Sequence, residues 1–102
     1  MINNFYKIKN NTLIGIDEKR FKKYLLDNKF KAPDIPAGIT KIKSNIFNEI
    51  DRMDEIYLPM SIGKINLECF EKFKNIIINY PNYYDILIVD RTPYKNILNV
   101  LK

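Results

Sequence analysis

The chain has no histidine among its 102 residues. That removes the commonest general base and the commonest metal ligand at neutral pH. Cysteine is represented by Cys69 alone, so no internal disulfide can form and a reducing compartment fits best. There are three glycines, Gly15, Gly38 and Gly63, too scattered to build a phosphate-cradling loop. No apolar run approaches a membrane span, since Ile76-Ile77-Ile78 and Ile86-Leu87-Ile88-Val89 are only strand-sized. The first residues lack an apolar stretch with a small-residue cleavage site, so no secretory signal is expected. These absences lead to an expectation of a cytoplasmic protein that is not an enzyme and holds no metal or cofactor.

The apolar fraction, 46%, is ordinary for a folded chain, and the length suits one domain with a modest core. The formal net charge is +5. It is concentrated between Lys19 and Lys31, where six basic residues face one acid, Asp27. A charge of this kind favours an acidic protein face, nucleic acid or a membrane surface.

Phe5-Tyr6-Lys7-Ile8-Lys9 and Thr12-Leu13-Ile14-Gly15-Ile16 flank Asn10-Asn11, and asparagine tolerates the positive φ of a two-residue hairpin turn. That predicts a β-hairpin with Ile8 opposite Leu13 and Phe5 opposite Ile16. A helix is predicted over Asp17 to Asn28, capped by Asp17, with Phe21, Tyr24 and Leu25 on its apolar stripe. Pro33 and Pro36 exclude helix from the next stretch.

From Ile35 to Phe73 the chain says nearly the same thing twice. Pro36, Ile39, Lys41, Ile42 and Phe47 recur as Pro59, Ile62, Lys64, Ile65 and Phe70, always 23 residues apart. A fixed period in the twenties is the mark of stacked supersecondary units, none of which can bury its apolar face alone. A third unit begins at Ile76-Ile77-Ile78-Asn79-Tyr80-Pro81, which echoes Asp54-Glu55-Ile56-Tyr57-Leu58-Pro59 at an offset of 22. Asp85 to Asp90 then reads as a strand, and Thr92-Pro93 opens a helix with Tyr94, Ile97, Leu98 and Leu101 on one face.

The pattern Pro-x-x-Ile-x-x-Ile-x-x-x-x-Phe, after an Ile-x-Leu-Pro lead-in, resembles the BspA-type leucine-rich repeats of bacteria. The opening Tyr6-Lys7-Ile8-Lys9-Asn10-Asn11-Thr12-Leu13 is similar to how such domains begin. The resemblance implies an α/β fold: a short leucine-rich-repeat solenoid with an N-terminal hairpin and helix cap (1–34), repeats (35–81) and a C-terminal strand and helix cap (82–102). It also implies a protein interaction scaffold, at the level of fold alone.

The candidate binding residues follow from this layout. Stacked repeats would place Lys41 over Lys64 and Lys43 over Asn66, about 5 Å apart, giving a positive ladder open to water or to an acidic partner. Tyr57, Tyr80, Tyr83 and Tyr84 form an aromatic group of the kind enriched at interfaces, or else plug the end of the core. Lys19, Arg20, Lys22 and Lys23 offer a basic helix face, which is either a solvated surface or a phosphate-binding patch. Cys69 reads as a core thiol. Glu49, Asp51, Asp54 and Glu55 read as a solvated connection rather than a metal site, as do Asp85 and Asp90. The leading expectation is a protein-binding module of bacterial or phage origin, an adaptor or an inhibitor that occludes a larger acidic partner, acting as a monomer or as a homodimer through an open solenoid end. The alternative is nucleic-acid binding through Lys19 to Lys31.

Overall fold

The computed structural model of the chain describes residues 4–73, 75–82, 86–87 and 98–99. β1 (Tyr6–Lys9) and β2 (Thr12–Ile16) form the antiparallel hairpin. Asn10 and Asn11 both take left-handed backbone, with φ of 51° and 61°, as a two-residue primed turn demands. Ile8 faces Leu13 as the sequence implies. Farther from the turn the expected register fails, because Tyr6 rather than Phe5 lies opposite Ile16. The cause is a bulge, in which Ile8 pairs with Leu13 but Lys7 pairs with Gly15, so that Ile14 is the extra residue.

α1 (Glu18–Asp27) follows at once. The Asp17 carboxylate accepts from the Arg20 amide at 3.1 Å, satisfying one of the orphan donors of the first turn. Phe21 and Leu25 are buried, and Phe21 meets Tyr6 edge-on with ring centroids 5.7 Å apart. The helix exit is unusual. Lys29 and Phe30 both have positive φ, 54° and 63°, while the Phe30 amide bonds back to the Leu25 carbonyl at 2.7 Å. The turn carries the chain to Lys31, which bridges in parallel to Glu55.

β3 (Lys41–Ile42) pairs in parallel with β2, so the first sheet is mixed, in the order β1-β2-β3. β4 (Glu55–Tyr57) pairs in parallel with β6 (Ile77–Asn79), which also pairs with β8 (Leu98–Asn99). The β4–β6 register, Glu55 to Ile77, is the offset of 22 seen in the sequence. β5 (Ile65–Asn66) pairs in parallel with β7 (Ile86–Leu87) as a separate two-stranded sheet.

This arrangement corrects the expected solenoid. The chain forms a small α/β unit of 32 × 27 × 24 Å, with no long axis along which repeats extend. The physical reason lies in the strand partners. β3 and β5 hold the repeat-equivalent positions, yet they do not pair with each other: β3 joins the hairpin and β5 joins β7. Lys41 and Lys64 are therefore not adjacent rungs of one ladder, and neither are Lys43 and Asn66. Among the described residues α1 is the single α-helix, and a 3-10 turn covers Leu67–Phe70. The C-terminal helix expected from Thr92-Pro93 is corrected at Leu98–Asn99, which are strand β8 paired in parallel with β6. Its other residues and most of the strand Asp85 to Asp90 lie outside the described residues.

One buried cluster draws on β1, β2, α1, β4, β5 and β6, with Ile42 of β3 packed against it. It contains the repeat positions Ile39, Phe47, Ile62, Ile65 and Phe70 together with Leu13, Phe21, Ile56 and Ile78. The recurrence of isoleucine and phenylalanine thus records burial. The hairpin lays its Tyr6, Leu13 and Ile16 side on this cluster and turns the opposite side outward.

Candidate functional site

The outward side of the first sheet is where the lysines gather. Lys9 pairs with Thr12, and Thr12 pairs with Lys41, so the three lie in one row across the strands. Laterally paired residues project to the same face. Lys7 stands two residues before Lys9, and Lys43 two after Lys41, which by alternation adds both to that face. The Lys43 amide still donates to the Leu13 carbonyl at 2.9 Å, so the ladder runs past the end of β3. Lys7 lies across the sheet, its Cδ 3.5 Å from where a β-carbon on Gly15 would stand. All four lysines are exposed.

No carboxylate belongs to any of the three strands. None of the four lysines makes an ion pair with a described residue. At the margin, Glu18 and Glu49 share an open depression with Lys43 and Ile14. Successive lysines on one strand are about 7 Å apart, and Lys9 and Lys41 are about 10 Å apart across Thr12. Both spacings are close to the Debye length of about 8 Å at physiological salt. Mutual repulsion is therefore mild, while an anion over the patch feels all four charges.

Two of these four lysines, Lys41 and Lys43, are among the residues singled out by the repeat pattern. Lys41 and Lys43 were candidates for a ladder with Lys64 and Asn66, whereas their actual neighbours are Lys7 and Lys9. The signal that identifies the second pair is the Lys-x-Lys alternation immediately before the Asn-Asn turn. Lys64 is exposed but precedes β5 in another sheet. Asn66 is half-buried and serves as the cap of the 3-10 turn, its Oδ1 accepting from the Glu68 amide at 2.9 Å. Asn66 is thus committed to local structure.

The aromatic group divides as well. Tyr80 is fully buried, and its hydroxyl donates to the Gly63 carbonyl at 2.9 Å, so it is a core residue and not part of an interface. Tyr57 is exposed on β4, with the Lys31 ammonium 4.6 Å from its ring centre. A hydrogen bond with Glu55, then the charge of that carboxylate, pushes the Tyr57 phenol up from its ordinary pKa. Lys31, Asp34, Tyr57 and Pro59 line an open groove of about 390 Å³. Tyr83 and Tyr84 lie outside the described residues.

On α1, Lys19, Arg20, Lys22 and Lys23 are all exposed. Arg20 sits 3.9 Å from the Asp17 carboxylate, and Lys23 donates to Asp27 at 2.9 Å. The Asp27 hydrogen bond pushes the Lys23 ammonium up in pKa. Two of the four cations are thus partly neutralised within their own helix, which leaves Lys19 and Lys22. The helix packs through Phe21 onto Tyr6, the inner side of the hairpin, so its lysines do not extend the sheet patch.

Cys69 is buried, and its thiol donates to the Asn66 carbonyl at 3.3 Å. Burial pushes the thiol up to about 12, so it stays protonated and unreactive at neutral pH. Among the described residues no three potential metal ligands converge, and no helix is long and apolar enough to cross a membrane.

No family model matches the chain, and neither a curated protein nor a solved structure matches it.

Proposed function

We propose that the chain is a non-enzymatic protein-binding module that docks onto an acidic surface through the outer face of its first sheet. The observation that supports this reading is the convergence of Lys7, Lys9, Lys41 and Lys43 on one exposed face without a carboxylate in the sheet. A stability role accounts for it poorly, since the four ammonium groups gain no ion pair with a described residue and repel one another, and only the Lys7 stem is seen to cover the sheet, at Gly15. A rigid sheet presents these charges with little ordering cost, which suits steering and orientation of an acidic partner. An adaptor, or an inhibitor that covers a larger acidic surface, uses such a face.

The alternative, nucleic-acid binding through α1, has less support. Arg20 and Lys23 are engaged by Asp17 and Asp27, and Lys31 lies against Tyr57. The test is capture of the partner from the source cell by the native chain and by a variant with Lys7, Lys9, Lys41 and Lys43 all changed to glutamate. Loss of a specific protein, with circular dichroism unchanged, supports the reading. Undiminished recovery removes the sheet face from it. An electrophoretic mobility titration at low salt tests nucleic acid directly, because phosphate contacts carry a steep salt dependence.

A further inference from the structure

We propose that the outer edge of β1 is a docking strand for an extended acidic peptide segment, which adds to the sheet beside Lys7, Ile8 and Lys9. The inference rests on the protein-binding reading and names the manner of binding.

The strand order β1-β2-β3 places β1 at one end of its sheet, and no described strand pairs with its outer side. Such an edge presents main-chain donors and acceptors to an incoming chain. Natural edges are blunted by short strands, by charged side chains, lysine above all, and by bulges. Lys7 and Lys9 of the four-residue β1 guard this edge against strands of like charge but not against an acidic one. Here the extra residue of the bulge is Ile14, on the inner strand β2, so Lys7 to Lys9 remains regular. Ile8 is 39% exposed, an apolar side chain on the face opposite its two lysine neighbours.

This alternation specifies the occupant. A second copy of the chain pairing through β1 would bring lysines against lysines, and like charges directly opposite on paired strands are destabilising. An acidic strand removes that penalty and gains from it. Its carboxylates would lie beside Lys7 and Lys9 while an apolar residue between them covers Ile8. The segment that fits is therefore extended, with acidic and apolar residues alternating. Nucleic acid fits less well, for it has no amide ladder, and no aromatic ring belongs to the lysine row for bases to stack on.

The experiment uses fluorescence anisotropy with a labelled peptide of alternating glutamate and valine. Three comparison probes are a peptide of the same composition with its acids in one block, the alternating peptide N-methylated on alternate amides, and an oligothymidylate of equal charge. The expected result is that the alternating peptide binds, and that N-methylation or block order weakens it by about tenfold or more, the loss of only one or two good hydrogen bonds. Lys7→Glu/Lys9→Glu should abolish binding, and Lys7→Ala/Lys9→Ala, which keeps the edge without reversing charge, should weaken it. Equal affinity for the N-methylated peptide would overturn the strand-addition mode, and so would tighter binding of the oligothymidylate or no peptide binding at low salt. The wider reading is separable. If capture of the cellular partner falls with Lys41→Glu/Lys43→Glu but not with Lys7→Glu/Lys9→Glu, the edge proposal fails while the protein-binding module stands.

Discussion

Phe47 stacks on Phe70, with ring centroids 5.6 Å apart and planes inclined by 27°. The two occupy the same position in successive repeats, 23 residues apart. Phe47 also contacts Phe21 of α1 at 5.8 Å and Phe73 at 6.4 Å. The pair therefore joins helix, first repeat and second repeat in one core. Phe47→Ala should cost about 3–5 kcal/mol, the usual range for deleting a fully buried ring. Phe47→Leu should cost clearly less, since it keeps most of the volume. Urea denaturation of both variants checks the order, and equal midpoints for Phe47→Ala and the native chain would show that the stack is not part of the stable core.

The helix exit offers the opposite kind of prediction, a gain. Lys29 is exposed and held at φ 54°. Left-handed backbone costs a residue with a β-carbon roughly 1–2 kcal/mol. Glycine avoids that cost but adds unfolded-chain entropy of about 0.4–1 kcal/mol. The balance favours glycine, so Lys29→Gly should raise stability by about 0.5–1 kcal/mol. The adjacent Phe30 should not tolerate the same change. Its ring lies 3.9 Å under the Arg52 guanidinium, which Asp54 holds by two hydrogen bonds of 3.1 and 2.9 Å. Thermal denaturation of the two glycine variants should shift in opposite directions.

Local signals proved legible where a residue's backbone or cap chemistry admits one solution. Asn10-Asn11 announces the turn and Asp17 the helix start, and both are observed. The isoleucine and phenylalanine repeats announce burial, and all are buried except the half-buried Ile42. What the sequence could not reveal is which strand each repeat pairs with. A period of 23 makes β3 and β5 equivalent in pattern, but pairing is a matter of free edges. β2 offers an edge to β3 through bonds from the Thr40 amide to Asn11 and from the Lys43 amide to Leu13. Those contacts assign Lys41 and Lys43 to the hairpin face and leave Lys64 just before β5 of a separate sheet. Tyr80 illustrates a second ambiguity. Its ring is apolar enough for a core provided the hydroxyl finds a partner, and composition cannot show that the Gly63 carbonyl is within reach.

Two buried acids make stability fall at alkaline pH. Burial, then the nearby Asp34 charge, pushes the Tyr6 phenol well above its ordinary value, and burial pushes the Cys69 thiol up to about 12. In both cases the folded chain keeps its proton when the unfolded chain loses it. The stabilising contribution is thus fully present below the unfolded pKa, near 8.5 for the thiol and near 10 for the phenol, and declines as pH rises from there toward the folded values. Denaturation midpoints should be level from pH 6 to 8 as far as these groups are concerned, and fall progressively above about 8.5. Cys69→Ala should remove the earlier part of the decline, and Tyr6→Phe the later part. Tyr6→Phe should also lower stability at neutral pH by about 1–3 kcal/mol, because the Pro33 carbonyl loses the phenol as its donor. A flat profile to pH 11 in the native chain would contradict the burial of both groups.

Asn66 separates the structural role of a repeat position from a binding role. Its Oδ1 receives the Glu68 amide at 2.9 Å and so closes the first turn of the 3-10 segment that carries Cys69 and Phe70 into the core. Asn66→Ala should cost about 1 kcal/mol, as loss of a cap usually does. Asn66→Asp should cost less than alanine, since a carboxylate oxygen accepts the same bond, but it loses the Nδ2 donation to the Glu68 carboxylate at 3.4 Å and sets two like charges side by side. If Asn66 instead acted by contacting a partner, alanine would weaken partner capture without lowering the denaturation midpoint. The paired measurement on Asn66→Ala distinguishes these roles, and the geometry requires the midpoint to fall while binding of the folded fraction stays constant.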